Sequence, residues 1–303
     1  MDRPEVSLEL MRCFVRVAER GSLSAVARET GRGQSTISRQ LRQLEEALGV
    51  ALVSRTTRQV ALTGEGHAYY RHCLDILRLV ERAGDEVRGS GGRPAGKIRI
   101  SATLAFGTMH LTHILFDFQD AYPDVSIDLH LTDERVNLVE EGIDLAVRMG
   151  ALEDSSLKMR RLGWSRRLLV ARAGLFGTLP QRPEQLEAVD FVTMMRLSDN
   201  DRLVLAGPGG ESYTMRCSGR LRVDQGLAVR EALRAGRGIG IAHHWLVGDL
   251  LESGELVALL PGWTVAPVPL SLLIAPGQAE MQRIRLLIDF LTDRCAAVQG
   301  IES

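Results

Sequence analysis

Lysine is almost missing from this chain: only Lys97 and Lys158 occur in 303 residues, so arginine carries nearly all the positive charge. Guanidinium groups suit phosphate and guanine contacts, although a biased genome gives the same pattern. Long apolar runs are missing too. No stretch approaches the roughly 18 apolar residues of a membrane span, and Met1 to Glu5 lack the order of a secretory signal, so a cytoplasmic protein is expected. Cys13, Cys73, Cys217 and Cys295 form no C-x-x-C pair, which argues against a disulfide framework and a structural zinc. Catalytic signatures are absent: there is no G-x-S-x-G elbow, phosphate loop or H-E-x-x-H pair. Gly236-x-Gly238-x-Gly240 precedes a strand, the wrong context for a dinucleotide fingerprint, and Glu140 and Glu141 point apart. Neither a reaction nor a cofactor nor a metal is expected.

What is present is ordinary globular material, 45% apolar and 25% charged, enough for two or three domains. Residues 1 to 63 hold ten arginines against seven acids, so the near-neutral chain has a basic N-terminal end.

No proline occurs between Pro4 and Pro94, and Gly89-Ser-Gly-Gly-Arg-Pro94 then breaks the pattern. The division expected is 1–63, 64–90 and 91–303. Ser7 caps a first helix carrying Met11, Phe14, Val15 and Ala18, stopped at Gly21. A second helix follows Ser22 and stops at Gly31. A third begins near Gln34, with Ile37, Leu41, Leu44 and Leu48 as its apolar stripe. Three helices with a short turn before the last make a helix-turn-helix candidate. Strand-like pieces at 49–53 and 59–62 flank a turn with Arg55 and Arg58, as in a wing. From His67 to Val87 one long helix carries Tyr70, Cys73, Leu77, Val80 and Val87, a spacing that suggests pairing with a copy of itself.

Beyond the linker, strands and helices alternate as β-α-β-α-β: a strand at 97–101, a helix at 107–122, an alternating strand at Val125 to Leu131, a helix around 134–141 and a buried strand at 143–149. A second lobe follows, with a strand at 167–172, a hairpin around Gly207-Pro-Gly-Gly210, a helix at 226–235 and a strand at 239–242. The chain then returns through a strand at 270–274 and a helix at about 279–298. Lobe I is expected over about 96–166 and 268–303, lobe II over about 167–267.

On the third helix, Ser35, Ser38, Arg39 and Arg42 share the face opposite Ile37, Leu41 and Leu44. Such a helix fits the major groove, where Gln pairs with adenine, Arg with guanine and Ser with base edges or phosphate. Arg55 and Arg58 would reach the adjacent minor groove or its phosphates. A solvated face on a three-helix bundle has the same spacing.

The order of residues goes further. Phe14-Val-Arg-Val-Ala-Glu-Arg-Gly-Ser-Leu-Ser-Ala-Val-Ala-Arg-Glu29, Gln34-Ser-Thr-Ile-Ser-Arg-Gln-Leu-Arg-Gln-Leu-Glu-Glu-Ala-Leu-Gly49, Arg55-Thr-Thr-Arg58 and Leu62-Thr-Gly-Glu-Gly66 resemble the LysR-type transcriptional regulators. The resemblance continues through Asp144-Leu-Ala-Val-Arg148, Ser218-Gly-Arg-Leu-Arg222 and Gly236-Arg-Gly-Ile239. It implies a mainly α winged helix-turn-helix and a long dimerising linker helix. It also implies a doubly wound α/β effector region of two lobes like periplasmic solute-binding proteins, usually in a tetramer. Double-stranded promoter DNA and RNA polymerase are the implied partners, and a small molecule of unstated identity the implied effector. Gln34, Ser35, Ser38 and Arg39 fall on positions the family uses for DNA, and Thr36 is a DNA-binding candidate beside them. Arg32 stands where the family has an apolar residue and Gly33 where it has a Ser or Thr cap; Arg32 is left open as a phosphate contact.

The effector is expected between the lobes, at strand ends and helix N-termini. Thr103 either caps its helix or binds ligand, the cap being favoured, and Leu104 and Phe106 follow it into the site. Thr132 and Asp133 end the next strand. Arg148 either receives a carboxylate or pairs with Asp133 or Glu134. Met194, Met195, Asp224 and Gln225 are contributors by resemblance. His243 and His244 stand where the family more often has a proline soon after the strand; His243 is placed at the effector, and His110 with His113 on a partly exposed helix face. A solute-binding protein without DNA binding is the rival reading.

Overall fold

The structure, a computed structural model, describes residues 5–55, 60–88, 93–150, 157–195 and 202–303, with Arg55 and residues 85–88 as backbone only. Contacts divide the chain into two compact units, Met1–Gly92 and Arg93–Ser303.

In the first unit, α1 (Leu8–Arg20) begins where Ser7 Oγ accepts the Leu10 N–H at 3.3 Å, and ends at left-handed Gly21. Ser22 Oγ accepts from Ala25 N–H to start α2 (Leu23–Thr30), which stops at Gly31. After this turn comes α3 (Gln34–Leu48), entered through Gly33 without a side-chain cap. Its stripe of Ile37, Leu41 and Leu44 is buried in one core with Phe14, Val17 and Val26. These helices are amphipathic and short, so the shared core holds them rather than their own propensity.

An antiparallel pair follows, β1 (Val53–Arg55) and β2 (Val60–Leu62). The first strand begins later than its composition suggests, because Leu52 turns into the core and Glu45 Oε1 accepts the N–H groups of Leu52 and Val53 at 2.9 and 3.2 Å. Next, α4 (Gly64–Arg88) starts three residues before the expected His67. Thr63 is responsible: its Oγ1 accepts from Gly66 N–H at 2.9 Å and donates to Ala51 O at 2.8 Å. A Cβ on Gly66 would lie 2.0 Å from Leu52 O, so only glycine lets the helix approach this strand. The expected pairing stripe divides: Cys73 lies buried in the unit's own core beside Leu74, with Tyr70 and Leu77 packed on it, while Val80 is exposed, as are Ile76 and Leu79 off the stripe. The Val87 side chain lies outside the described residues.

The second unit opens with β3 (Gly96–Ala102), then α5 (Leu104–Phe106), a π turn at Gly107–Leu111, α6 (Thr112–Ala121) and β4 (Val125–Leu131). The helix expected around 134–141 does not form; the segment is turns, because Asn137 Oδ1 accepts the N–H groups of Val139 and Glu140 at 3.2 and 3.3 Å. Then come β5 (Leu145–Met149), β6 (Lys158–Arg172), β7 (Val192–Met194), the hairpin β8 (Arg202–Ala206) and β9 (Ser212–Arg216), and β10 (Leu221–Val223). The chain continues through α7 (Gly226–Arg234), β11 (Ile239–His243), α8 (His244–Glu252), β12 (Leu256–Ala258), β13 (Thr264–Ile274), α9 (Gln282–Ala296) and β14 (Ile301–Glu302).

β3 lies parallel to β4 and β5, as a β-α-β crossover requires. Two long strands carry the chain between lobes. β6 pairs antiparallel with β13 from Lys158 to Ser165 and again at Arg167; beyond Ser165 it also pairs with β11 and β12. β13 pairs with β5 at one end and with β8 at the other. Buried Asp144 fastens β3 beside β5: its Oδ2 accepts from Arg99 N–H at 2.8 Å. α8 went unforeseen; its Trp245, Leu246, Val247 and Leu250 are all buried, an apolar run too dense to show a helical face.

Candidate functional site

Burial of Ile37, Leu41 and Leu44 fixes the rotation of α3 and so decides what faces outward. Gln34, Ser35, Arg39 and Arg42 are exposed and Thr36 and Ser38 half-buried, on a face about 13 Å long by helix geometry over nine residues. Arg55 ends β1, with its side chain outside the described residues, and Arg58 lies outside them altogether. Arg32 is engaged within the unit: its Nη1 lies 2.6 Å from Glu9 Oε1, and Gln40 Nε2 donates to the same oxygen at 3.1 Å. The hydrogen bond from Arg32, the guanidinium charge and then the bond from Gln40 hold the Glu9 carboxyl below the usual range. Gln40 and Glu45, both polar residues of α3, thus serve to orient the helix, which spacing alone did not reveal.

In the second unit Thr103 takes the cap position of α5 but makes no side-chain cap bond. The favoured capping reading is corrected: Asp133 Oδ1 accepts from Leu104 N–H at 3.1 Å, reaching across from the end of β4. Thr132 Oγ1 accepts from Glu134 N–H at 3.0 Å and so closes its own turn. Leu104 is half-buried. Phe106 is also corrected, because it is 0% exposed and packs edge-on against Trp245 at 5.2 Å, as core rather than cleft wall.

Arg148 donates from Nη2 to buried Ser101 Oγ at 2.7 Å and from Nη1 to Val147 O at 3.1 Å. Burial lowers its pKa, opposed by the charges of Asp133 and Glu141. Met194 pairs with Val223 across the parallel β7 and β10, so Met194 and the following Asp224 and Gln225 come together. Asp224 and Met195 are exposed. Gln225 precedes α7 and leaves its Oε1 buried with no hydrogen-bond partner among the described residues. Beside it, a Cβ on Gly226 would lie 3.2 Å from Ala105 Cβ, so the start of α7 touches α5 of the other lobe. Thr103, Leu104, Asp133 and Gln225 therefore gather near one place where the lobes meet.

His243 precedes α8 and bonds through Nδ1 to Ser165 Oγ at 2.7 Å, stacked on Trp245 at 5.2 Å. Trp245 Nε1 donates to that same oxygen at 3.0 Å. Ser165 Oγ thus joins the Trp245 indole to the ring of His243. Burial and the neighbouring Arg167 charge press its pKa down to about 4. His110 is half-buried, and its Nε2–H donates to Trp245 O at 3.0 Å, while His113 is exposed. Among the described residues no helix is long and apolar enough to cross a membrane.

A helix-turn-helix unit joined to a two-lobed α/β unit is the build of a DNA-binding transcriptional regulator with an effector-binding domain. The family models agree: residues 8–67 match the bacterial regulatory helix-turn-helix protein of the lysR family, and residues 91–296 match the LysR substrate binding domain. The chain belongs to the LysR family of transcriptional regulators. It is 31% identical over 290 residues to the regulator PtxR of Pseudomonas aeruginosa, covering 95% of this chain and 93% of that one. With the transcriptional activator AaeR of Escherichia coli it shares 30% identity, over 94% and 93% of the two chains. Among solved structures, CrgA of Neisseria meningitidis matches at 28% identity with a TM-score of 0.61, over 96% of this chain and 99% of that one. The Vibrio cholerae virulence activator AphB matches at 26% and 0.60, over 95% and 99%. These relatives are transcriptional regulators rather than enzymes.

Proposed function

We propose that this regulator reads a promoter with the outward face of α3 and changes its grip when a small molecule binds between the lobes. Gln34, Ser35, Thr36, Ser38, Arg39 and Arg42 meet the major groove, and Arg55 and Arg58 meet the flanking minor groove or its phosphates. The observation that carries this reading is the rotation of α3, whose apolar stripe is buried while Arg39 and Arg42 stand in solvent. The protein acts in the cytoplasm as a homotetramer built on dimers paired through α4, whose Ile76, Leu79 and Val80 offer an apolar stripe. The effector meets Thr103, Leu104, Thr132, Arg148, Met194, Asp224, Gln225 and His243. Orphaned Gln225 Oε1 supports a ligand with a donor group there. Binding selects one angle between lobes and so one spacing of the paired DNA-binding units. RNA polymerase is the further partner.

The test is capture of genomic fragments by the purified protein at two salt concentrations, followed by footprinting of the best fragment. A discrete, nearly palindromic footprint supports the reading. Uniform, salt-sensitive capture with no preferred fragment opposes it.

A further inference from the structure

We propose that the crossing of β6 and β13 holds a second small-molecule site, suited to an apolar organic carboxylate and separate from the cleft. These are the two strands common to both lobes, and their pairing loses register between Val265 and Val268. Ala266 and Pro267 leave the ladder there, beside a pocket of about 370 Å³. That is room for a small ligand. Leu169, Leu205, Leu260 and the indole of Trp263 give it largely apolar walls. None of the residues assigned to the effector cleft lines it.

Its polar groups point to an anion. Arg166, Arg167 and Glu302 are the charged residues of the lining, one positive charge in excess. Arg166 and Glu302 are exposed, whereas Arg167 is half-buried. Arg167 Nε donates to Ala266 O at 2.7 Å, spending one of the five donors of the guanidinium. Among the described residues no carboxylate pairs with it, and burial alone pulls its pKa down. His243, its partner across the β6–β11 pairing, is neutral and adds no second positive charge. A partly desolvated cation without a counter-ion costs free energy, which an anionic ligand offsets. The planar fork matches a carboxylate in two parallel hydrogen bonds, and Trp263 with the leucines accommodates an apolar body. Because Arg167 belongs to β6 and Ala266 to β13, a ligand seated here bears on the strands that set the lobe angle.

The probe is 4-fluorophenylacetate, observed by ¹⁹F NMR line broadening with the full-length protein, and its neutral counterpart 4-fluorophenylacetamide. The acid is expected to bind saturably and the amide not. Arg167→Gln should weaken binding about ten-fold or more, as loss of a charge-assisted pair implies. Val204→Trp should do the same by filling the pocket from its rim, where Val204 is 56% exposed and contributes little to folding. Arg148→Gln, in the cleft, should leave this binding unchanged. The proposal is overturned by an absence of saturable binding in the millimolar range, by equal binding of the amide, by full binding in both pocket variants, or by loss of binding in Arg148→Gln.

Discussion

Arg32 and Glu9 join the turn ahead of α3 to the first turn of α1 through a 2.6 Å contact, and Gln40 of α3 shares the same carboxylate oxygen. The arginine at this turn thus works by ion pairing within the unit. Arg32→Ala should leave the salt dependence of DNA affinity unchanged, since the guanidinium serves Glu9 rather than phosphate. The Glu9 pKa is lowered in the fold, so the pair stabilises above the unfolded pKa and the contribution disappears as pH falls through the folded one. Both carboxylate and guanidinium are well exposed, so the effect on thermal unfolding is small. A salt slope that falls by about one on substitution would make Arg32 a phosphate contact.

His243 should stay neutral from pH 8 to pH 5. Its folded pKa of about 4 lies below the unfolded value, so between the two the unfolded chain binds more protons. Stability should therefore fall as pH drops through this window, by up to about 1.4 kcal/mol per pH unit. Urea unfolding of wild type and His243→Gln between pH 7 and pH 5 reads this, with a flatter pH dependence in the variant.

Phe106→Ala should destabilise the second unit by about 3–5 kcal/mol, the cost of removing a fully buried aromatic side chain. Chemical denaturation measures it. A loss under about 1 kcal/mol with altered effector response would return Phe106 to the cleft wall.

On α4, Leu79→Glu should lower self-association with little loss of the protomer's own stability, because Leu79 is 54% exposed. Leu74→Ala, at a buried position one turn away, should instead cost about 2–5 kcal/mol of stability. Sedimentation velocity and thermal melts of the two variants separate the roles.

The helices of the first unit were legible because caps and stripes agree: Ser7, Ser22, Gly21 and Gly31 mark ends that the buried positions confirm. The long helix was legible in extent, yet its apolar positions did not reveal which faced the unit's own core and which faced solvent. That depends on where α1 packs. Between β4 and β5, Asn137 overrides an amphipathic pattern by bonding local backbone groups. In the cleft, residue types at strand ends were legible, but the partner of each was not: Asp133 caps α5 from 29 positions away, and Arg148 meets Ser101 on a neighbouring strand. The pocket beside Arg167 left no motif, since it depends on a local loss of register between two strands far apart in the chain.

The most direct test of the central claim compares wild type and Arg39→Ala on the footprinted operator and on random DNA at one salt concentration. Arg39 stands exposed on the outward face of α3. The account predicts a loss of about 1–3 kcal/mol on the operator and little change on random DNA. Equal losses on both would mean that this face of α3 does not read bases.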